Sequence, residues 1–136
     1  MASQEGAVRT FDLSLVTPDG AAFEGEAEML IVPGAAGEIG ILARHAPLVA
    51  MLRAGEIRVK AGGDWQAFAA GPGYCKVQQD RALVLVDDAV RAEDIDLKEA
   101  RAQLERADAG EEGIDRWQAE QRLRHAENKI AVAGRE

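Results

Sequence analysis

The side chains that most often perform chemistry in proteins are few in this chain and lie far apart in the sequence. The two histidines, His45 and His125, and the one cysteine, Cys75, do not have the spacing of a zinc site. Neither serine, Ser3 or Ser14, lies in a G-x-S-x-G motif or beside a residue that could act as its base. We therefore predict no metal site, no cofactor and no catalytic site, and we interpret Cys75 as a small buried residue in a strand.

The run from Gly37 to Leu48, G-E-I-G-I-L-A-R-H-A-P-L, is the most informative segment, because no simple hairpin requires its glycines, glutamate and histidine. With Gly34, its glycines lack the spacings of phosphate-binding and dinucleotide-binding loops. A loop of small residues that leads into an apolar segment favours close approach of a partner. The alternative is structural: glycines that satisfy loop geometry, Glu38 as a solvated charge, and His45 as a turn or core histidine.

Length and charge restrict the class of protein. A chain of 136 residues corresponds to one domain, or to a compact domain with an appendage. The net charge of −8 argues against binding to nucleic acid or anionic membranes, which both depend on clustered Lys and Arg. No segment approaches the roughly 20 apolar residues of a membrane-spanning helix. The first residues, Met1 to Gly6, lack the features of a signal peptide or transit sequence, which favours a bacterial protein, with a mature organellar chain without its presequence as the alternative. The single cysteine favours a reducing compartment.

Up to residue 87 the hydrophobic pattern is that of short strands separated by turns. Alternating residues or short apolar runs predict strands at Phe11 to Leu15, Met29 to Val32, Ile57 to Val59, Trp65 to Ala69, Tyr74 to Gln78 and Ala82 to Val86. Turn residues separate them at Pro18-Asp19-Gly20, Pro33-Gly34, Gly62-Gly63-Asp64, Gly71-Pro72-Gly73 and Gln79-Asp80-Arg81. Residues 1–87 are therefore predicted to form an antiparallel β-sandwich, with a barrel as the alternative.

The hydrophobic period changes near Asp88, and residues 88–136 are predicted to form an antiparallel two-helix hairpin. Apolar residues follow helical spacing at Leu97, Ala100, Leu104 and Ala107, and again at Ala119, Leu123, Ala126, Ile130 and Ala133. One helix should cover about Asp96 to Asp108, with Asp96 and Glu99 as a capping box, and a second Ile114 to Val132. Because the apolar seam is mostly alanine, we expect the hairpin to be marginally stable and free to dock or open.

These features together resemble the epsilon subunit of bacterial rotary ATP synthases. The resemblance rests on the G-E-I-G-I-L-x-x-H-A-P-L run, the alanine-rich helical hairpin, and the opening segments Val16 to Gly20 and Phe23 to Glu26. It covers nearly the whole chain. It implies a noncatalytic subunit of the rotor, peripheral to the cytoplasmic face of the bacterial inner membrane. Such a subunit links the gamma subunit to the ring of c subunits and couples proton transport to ATP synthesis.

The resemblance also implies roles for individual residues. The residues that match the family's contact with the c-ring are Gly37, Glu38, Ile39 and Gly40, with Glu38 at the acidic position. The residues that match positions near the gamma subunit are His45, Ala46, Pro47 and Leu48.

In some members of the family the hairpin extends into the catalytic alpha/beta head and inhibits ATP hydrolysis, usually through basic residues. Basic side chains occur on both predicted helices, at Arg101, Arg106, Arg116, Arg122 and Arg124. Acidic residues are interspersed with them, as on an ordinary solvated helix face. The sequence therefore leaves inhibition open.

Some members also bind ATP on the folded hairpin through a motif of the form Ile/Leu-Asp-x-x-Arg-Ala. This chain departs from the motif in both registers. Starting at Leu97, Lys98 replaces the aspartate, and starting at Ile95, Glu99 replaces the arginine. We therefore expect ATP binding to be weak or absent, and we interpret Asp96 as a helix cap. The residues left for a regulatory or weak nucleotide contact are Asp96, Arg101, Arg106 and Arg124.

Two other classes of protein stay open from the sequence. A freestanding β-sandwich adaptor with a helical tail for an unrelated partner would have the same pattern, and association with a gamma subunit distinguishes the two. A small enzyme would require converging acid, base or metal residues. The chain offers dispersed carboxylates and two distant histidines, which disfavours that class.

Overall fold

The chain folds into a β-sandwich followed by two helices, which confirms the predicted fold class. The computed structural model describes residues 9–110 and 112–133, so the predictions for Met1 to Gly6 and for Glu111 lie outside the described residues. The strands are β1 (Phe11–Thr17), β2 (Gly20–Ala27), β3 (Met29–Gly34), β4 (Gly37–Leu42), β5 (Leu48–Leu52), β6 (Gly55–Ala61), β7 (Asp64–Ala70), β8 (Gly73–Gln78), β9 (Arg81–Val86) and β10 (Ala89–Arg91). A short 3-10 helix (Ala92–Asp94), α1 (Leu97–Ala109) and α2 (Arg116–Ala133) follow.

The strands form two layers around one core. The first layer has the order β10-β7-β6-β3-β4, and the second has the order β5-β8-β9-β1-β2. A single pair, Gly34 with Leu52, joins β3 to β5 and so connects the layers at one corner. Each layer therefore has one face toward the core and one outer face that solvent, a helix or a partner must cover.

One strand pair departs from the antiparallel pattern. β1 runs parallel to β9, with Leu13 opposite Ala82 and Leu15 opposite Val84. A parallel pair cannot be closed by a tight turn, and here the connection includes all of the chain from β2 to β8. Hydrophobic alternation identifies strands but not their partners, so this pairing is absent from the sequence prediction.

Apolar residues from the inner faces of both layers fill the core. Leu13 and Leu15 of β1, Ile57 of β6 and Phe68 of β7 are each no more than 1% exposed. The same core includes Phe11, Leu30, Val32, Ile41, Leu52, Val59, Cys75, Val77 and Val84. Successive side chains of a strand point to opposite faces, so the predicted alternation along β1 places every second residue inside.

The first layer continues beyond the predicted boundary between residues 87 and 88. β10 pairs antiparallel with β7, and the Gly71 N–H donates a hydrogen bond of 2.9 Å to the Asp88 backbone oxygen. Arg91 lies opposite Phe68, with its guanidinium 5.7 Å from the centre of that ring. The change of hydrophobic period near Asp88 therefore marks the end of β9, whereas the sheet ends at Arg91.

Residues in the left-handed backbone conformation close two of the hairpins. Gly62 and Gly63 join β6 to β7 with φ angles of 59° and 83°, as a two-residue type I′ turn requires. The β8–β9 turn has no glycine, and Gln79 and Asp80 adopt φ angles of 51° and 55° instead. The Asp80 carboxylate accepts a hydrogen bond from the Arg44 N–H, so this turn also holds the segment that follows β4.

An aspartate caps the start of α1, as predicted. The Asp96 Oδ1 accepts hydrogen bonds from the backbone N–H groups of Lys98 at 3.0 Å and Glu99 at 3.2 Å. These bonds satisfy two donors that a helix start otherwise leaves unpaired. Gly110, with a φ of 84°, follows the last residue of α1, which ends one residue later than predicted.

A second aspartate sets the start of α2. The Asp115 Oδ1 accepts a hydrogen bond of 2.8 Å from the Gln118 N–H, so the helix begins at Arg116 and two residues later than the predicted Ile114. Its end at Ala133 is one residue beyond the prediction. Hydrophobic periodicity does not detect a capping carboxylate, so the predicted helix includes Ile114 and Asp115.

Candidate partner-binding surfaces

The turn between β3 and β4 requires Gly37, which begins the informative run, and Gly34 before it, so the prediction that no simple hairpin requires the glycines is wrong at Gly37. Gly37 has a φ of 143°. A Cβ on Gly34 would lie 2.6 Å from the Gly37 carbonyl oxygen, closer than real Cβ contacts. At Gly40, by contrast, a Cβ would have only an ordinary contact with Met29 at 3.5 Å. Backbone geometry therefore accounts for Gly34 and Gly37, but it does not account for Gly40.

Side chains alternate along β4, so Glu38 and Ile39 lie on opposite faces of the first layer. The Glu38 side chain is 64% exposed and lies 3.9 Å from the Arg58 guanidinium, and such a surface ion pair contributes little to stability. Ile39 instead packs against the core. Among the residues predicted to contact the c-ring, Glu38 is therefore the one with a charged side chain on the outside.

The segment predicted to lie near a gamma subunit has no regular structure until β5 begins. His45 is half-buried, with its Nδ1 2.7 Å from the Ala46 backbone oxygen, and Ala46 and Pro47 are exposed. The contact with Asp80 described above fixes the start of this segment. Leu48 then packs against the core as the first residue of β5. The segment therefore leads from the first layer into the edge strand of the second.

The outer face of the second layer carries a continuous row of apolar side chains, and we call it the uncovered face. Met51 of β5 lies opposite Tyr74 of β8, Tyr74 lies opposite Leu85 of β9, and Leu85 lies opposite Val16 of β1. Residues in such register are direct neighbours on one face of a sheet. A second row, formed by Val49, Lys76, Leu83 and Ser14, lies beside it.

The apolar residues at the β5 end of this face are open to solvent. Val49 is 70% exposed, Met51 is 63% exposed and Tyr74 is 38% exposed. A shallow groove of about 410 Å³, whose lining includes Pro18 and Pro72, extends the face past Tyr74. Single exposed apolar residues are common, but a contiguous patch of them marks an interaction site. The uncovered face therefore has the character of a protein-binding surface.

The sequence contains a signal for the uncovered face that the prediction did not use. Every residue from Leu48 to Leu52 and from Ala82 to Val86 is apolar. A strand with one face in water alternates apolar and polar residues, whereas a continuous apolar run indicates that both faces are covered. Because residues 9–110 and 112–133 cover only the inner face of these strands, a partner is a candidate for the outer one.

The outer face of the first layer is partly covered by α2, which lies against β6 and β7. The Gln121 side chain is 5% exposed, and its Oε1 accepts a hydrogen bond of 2.6 Å from the Ala54 N–H. Ala69, on the outer side of β7, is fully buried. The hairpin is therefore docked on the sandwich, and a polar side chain that helical periodicity would place in solvent lies at the centre of the contact.

Asp88, between β9 and β10, is the second docking point for α2. Its Oδ2 lies 2.8 Å from the His125 Nε2 and 3.4 Å from the Lys129 Nζ, which also donates to the Gln103 Oε1 at 3.0 Å. The hydrogen bond from His125, assisted by Lys129, lowers the pKa of Asp88, although burial opposes the shift. Burial raises the pKa of the neighbouring Asp87.

The lowered pKa of Asp88 determines how docking of the hairpin depends on pH. A carboxyl whose pKa is lower in the docked state stabilises that state fully above its ordinary pKa, and the stabilisation is lost as the pH falls through the lowered pKa. The Asp88 carboxylate therefore stabilises the docked hairpin at neutral pH, and this stabilisation is lost in acid.

The four hairpin residues predicted to make regulatory or weak nucleotide contacts do not converge on one cavity. Asp96 lines a cavity of about 270 Å³ between the sandwich and α1, and Arg106 lines one of about 230 Å³ between the helices. Arg124 lines a groove of about 420 Å³ between α2 and the first layer, and forms an ion pair of 3.1 Å with Glu120. Arg101 is exposed on α1.

Cys75 lies inside the sandwich and is fully buried. Burial raises the pKa of its thiol to about 11. The thiolate is the reactive form of cysteine, so this side chain is inert at neutral pH. The interpretation of Cys75 as a small buried residue is confirmed.

Comparisons with known proteins agree with the fold. The family model described as the ATP synthase delta/epsilon chain beta-sandwich domain matches residues 10–92. The chain is 41% identical over 131 residues to the ATP synthase epsilon chain of Halalkalibacterium halodurans. This alignment covers 93% of this chain and 98% of that relative. It is also 41% identical over 130 residues to the ATP synthase epsilon chain of Desulforamulus reducens, in an alignment that covers 92% of this chain and 98% of that relative.

Solved structures share the fold. A chain in the cryo-EM structure of the Euglena gracilis mitochondrial ATP synthase, described as OSCP/F1/c-ring, superposes with a TM-score of 0.74 at 25% identity, covering 94% of this chain and 84% of that one. A chain of the Tetrahymena thermophila enzyme superposes with a TM-score of 0.56 at 14% identity, covering 93% and 95%, and shows similarity of fold alone. The sandwich match, together with 41% identity that extends through the hairpin, shows that this chain belongs to the ATP synthase epsilon chain family.

Proposed function

We propose that this chain is a noncatalytic rotor subunit that links the gamma subunit of an ATP synthase to its c-ring, and thereby couples proton transport to ATP synthesis. The uncovered face is the observation that carries the proposal, because four strands present apolar side chains with nothing from the described chain over them. Membership of the epsilon chain family supports it. The similar Euglena chain comes from an assembly described as containing F1 and a c-ring.

The gamma subunit is assigned to the uncovered face on chemical grounds. Tyr74 and Met51 belong to the residue types that are enriched at the centres of protein interfaces. Lys76 and Arg81, toward the β8–β9 turn, supply a polar and charged margin beside the apolar row. The segment that begins at His45 leads into β5 at the same edge of the face. An apolar centre with a polar rim is the usual anatomy of a specific interface.

The c-ring is assigned to the turn between β3 and β4. Gly37 and Gly40 let a partner approach the backbone closely, and the loosely paired Glu38 carboxylate is available for a cationic group. This turn belongs to the first layer, whereas the uncovered face belongs to the second. Two partners could therefore bind at the same time, as a linking subunit requires.

Association with a gamma subunit tests the proposal directly. The full chain, mixed with the gamma subunit of the same organism, should form a one-to-one complex that native mass spectrometry detects. A folded chain that binds neither gamma nor the catalytic head that contains it would contradict the rotor proposal. That result would favour a freestanding adaptor whose uncovered face binds an unrelated protein.

The chain is proposed to contribute no catalytic residue to the enzyme. Within residues 9–110 and 112–133, no three His, Cys, Asp or Glu side chains are placed to hold a metal ion. His125 and Asp88 form an acid–base pair within the described residues, but this pair joins two docked elements, and the His125 side chain is only 16% exposed. These residues therefore have a structural task that accounts for their proximity.

ATP is proposed to bind weakly, without a role as a cofactor. The cavity beside Asp96 is lined by four carboxylates, of Asp88, Asp94, Asp96 and Glu99, with Lys129 as the one basic side chain. The Asp96 carboxylate already accepts two backbone hydrogen bonds as the cap of α1. A polyphosphate would meet like charge there. Titration calorimetry should give a Kd for ATP above about 1 mM. Saturable micromolar binding that Arg101→Ala removes would contradict this prediction.

Inhibition of hydrolysis by the hairpin is the second part of the proposal. Arg101, Arg106, Arg116 and Arg122 are exposed on the two helices, where an undocked hairpin could present them to acidic surfaces of the catalytic head. The test is the ATPase rate of a purified head that carries gamma, titrated with the full chain and with a chain ending at Ile95, which keeps β10. We expect both to bind and only the full chain to slow hydrolysis. Equal rates with both bound would limit this chain to a coupling role.

The location of the chain follows from the assembly. As a family member it is a peripheral subunit of the synthase. No helix in the described part of the chain is long and apolar enough to cross a membrane. We place it at the cytoplasmic face of a bacterial inner membrane, a proposal supported by bacterial relatives at 41% identity.

A further inference from the structure

One stripe of polar side chains on α2 makes the contacts that dock the hairpin. Gln121, His125 and Lys129 are spaced four residues apart, so they lie along one side of the helix. Gln121 binds the Ala54 N–H, and the other two bind Asp88. We call these three residues the polar stripe. Its partners are a backbone group before β6 and a side chain between β9 and β10, both fixed parts of the sandwich.

Small apolar residues are buried where α2 lies against the sandwich. They include Ala54 and Ala69 of the sandwich, whose side chains are single methyl groups. In the hairpin, Val132 is the one large apolar side chain among those that are fully buried in the described structure. Since burial of apolar area stabilises a contact by about 25 cal/mol per Å², small side chains contribute little. The position of the hairpin therefore depends on polar contacts more than an ordinary core does.

The polar contacts also leave buried groups without partners. In the docked hairpin, the Nδ1 of His125 and the Oδ1 of Asn128 are buried and have no hydrogen bond. Undocking would let water reach both atoms, which favours release. The docked state is thus opposed by unpaired groups on α2 and stabilised by the groups that meet Asp88.

The charges around Asp88 distinguish it from the other residues that dock the hairpin. His125 and Lys129 approach it from α2, and Arg122 lies near its neighbour Asp87. On the other side of the cavity, the charged side chains that residues 94–103 contribute to the lining are all carboxylates, namely Asp94, Asp96 and Glu99. Asp88 is the carboxylate that both His125 and Lys129 contact directly.

We propose that Asp88 holds the hairpin in its docked position by binding His125 and Lys129 together, and that removing its charge releases α2 while the sandwich stays folded. This assignment concerns the isolated chain and does not depend on the rotor role. It identifies the residue whose neutralisation converts a docked hairpin into a free one.

Amide hydrogen exchange at Ala54 reports docking directly, because its N–H donates to the Gln121 side chain across the contact. In the full-length Asp88→Asn variant, which keeps the shape of the side chain, we expect this amide to exchange about tenfold faster than in the native chain. The amide of Val59, in the centre of β6, should exchange at an unchanged rate. NMR on the isolated, uniformly labelled chain measures both.

Two further variants separate docking from general destabilisation. Lys129→Met removes the partner that α2 contributes to Asp88 beside His125. It should accelerate amide exchange at Ala54 in the same way, and it changes no residue of the sandwich. Glu105→Gln makes the same carboxylate-to-amide change at an exposed position of α1 and should have no effect. An unchanged Ala54 rate in Asp88→Asn would overturn the proposal. So would equal acceleration at Val59, since Asp88 would then support the sandwich itself.

Discussion

Replacing Tyr74 with aspartate is expected to weaken binding of the full chain to a gamma subunit by about a hundredfold. Tyr74 lies between Met51 and Leu85 in the centre of the apolar row. At that position docking would bury an unpaired carboxylate, which is strongly unfavourable. The fold should tolerate the change because the side chain lies on an outer face and is 38% exposed. Titration of gamma with each chain, followed by calorimetry, measures the two dissociation constants.

Trp117→Asp is the matched control. Trp117 is also an exposed aromatic residue, at 52%, but it lies at the start of α2 and away from the uncovered face. Its replacement should change the affinity by less than about twofold, within the range of a neutral surface substitution. If Tyr74→Asp, with an unchanged circular dichroism spectrum, bound gamma as well as the native chain does, the uncovered face would not be the gamma site.

Phe68→Ala should lower the free energy of unfolding of the sandwich by about 3–5 kcal/mol. Phe68 is 1% exposed in the core, and the substitution removes a full aromatic side chain from between the layers. It also removes the ring under the Arg91 guanidinium, which helps to fix β10 beside β7. Urea unfolding followed by far-ultraviolet circular dichroism gives the difference between the variants.

The same strand offers a matched control in Trp65. Its ring also lies under a guanidinium, with Arg58 at 5.9 Å, but the side chain is 49% exposed. Trp65→Ala also removes an aromatic ring beside a guanidinium, but it removes no buried core side chain. It should therefore lower the free energy of unfolding by less than about 1 kcal/mol. Similar losses for the two variants would mean that burial in the core is not what distinguishes Phe68.

Local pattern was sufficient for both helices and for six of the ten described strands, whereas β2, β4, β5 and β10 were not predicted from it. The alternation of Leu13 and Leu15 and the paired glycines Gly62 and Gly63 depend on interactions between near neighbours, so the sequence shows them directly. The cap at Asp96 is likewise local, because the carboxylate binds N–H groups two and three residues away. These are the features that prediction from sequence placed correctly.

Long-range packing accounts for what the sequence did not reveal. Gln121, His125 and Lys129 have the composition of a solvated helix face, and only the folded chain places Ala54 and Asp88 against them. The apolar seam alone therefore predicted a loosely attached hairpin, and its marginal stability stays a prediction. The uncovered face was missed for a related reason, since its residues lie on four strands that tertiary pairing brings together.

The candidate contacts of the Gly37 to Leu48 run came from family resemblance, and the structure supplies their geometry. Glu38 is exposed, whereas Ile39 and Leu48 face the core. Contact roles for these residues stay predictions. The structure adds a physical reason for Gly37, whose φ of 143° few other residues adopt.

The parallel alignment of β1 with β9 has a consequence for how the chain folds as it leaves the ribosome. Until Val84 has been synthesised, Leu15 lacks its parallel neighbour, and β1 has only β2 beside it. Domains dominated by such distant pairings fold slowly, because closing a long loop loses conformational entropy before the stabilising contacts form. The nascent chain therefore carries an unpaired strand edge, prone to aggregation, through most of translation. The helices emerge after the last strand and form through contacts between near neighbours, so they form after that risk has passed.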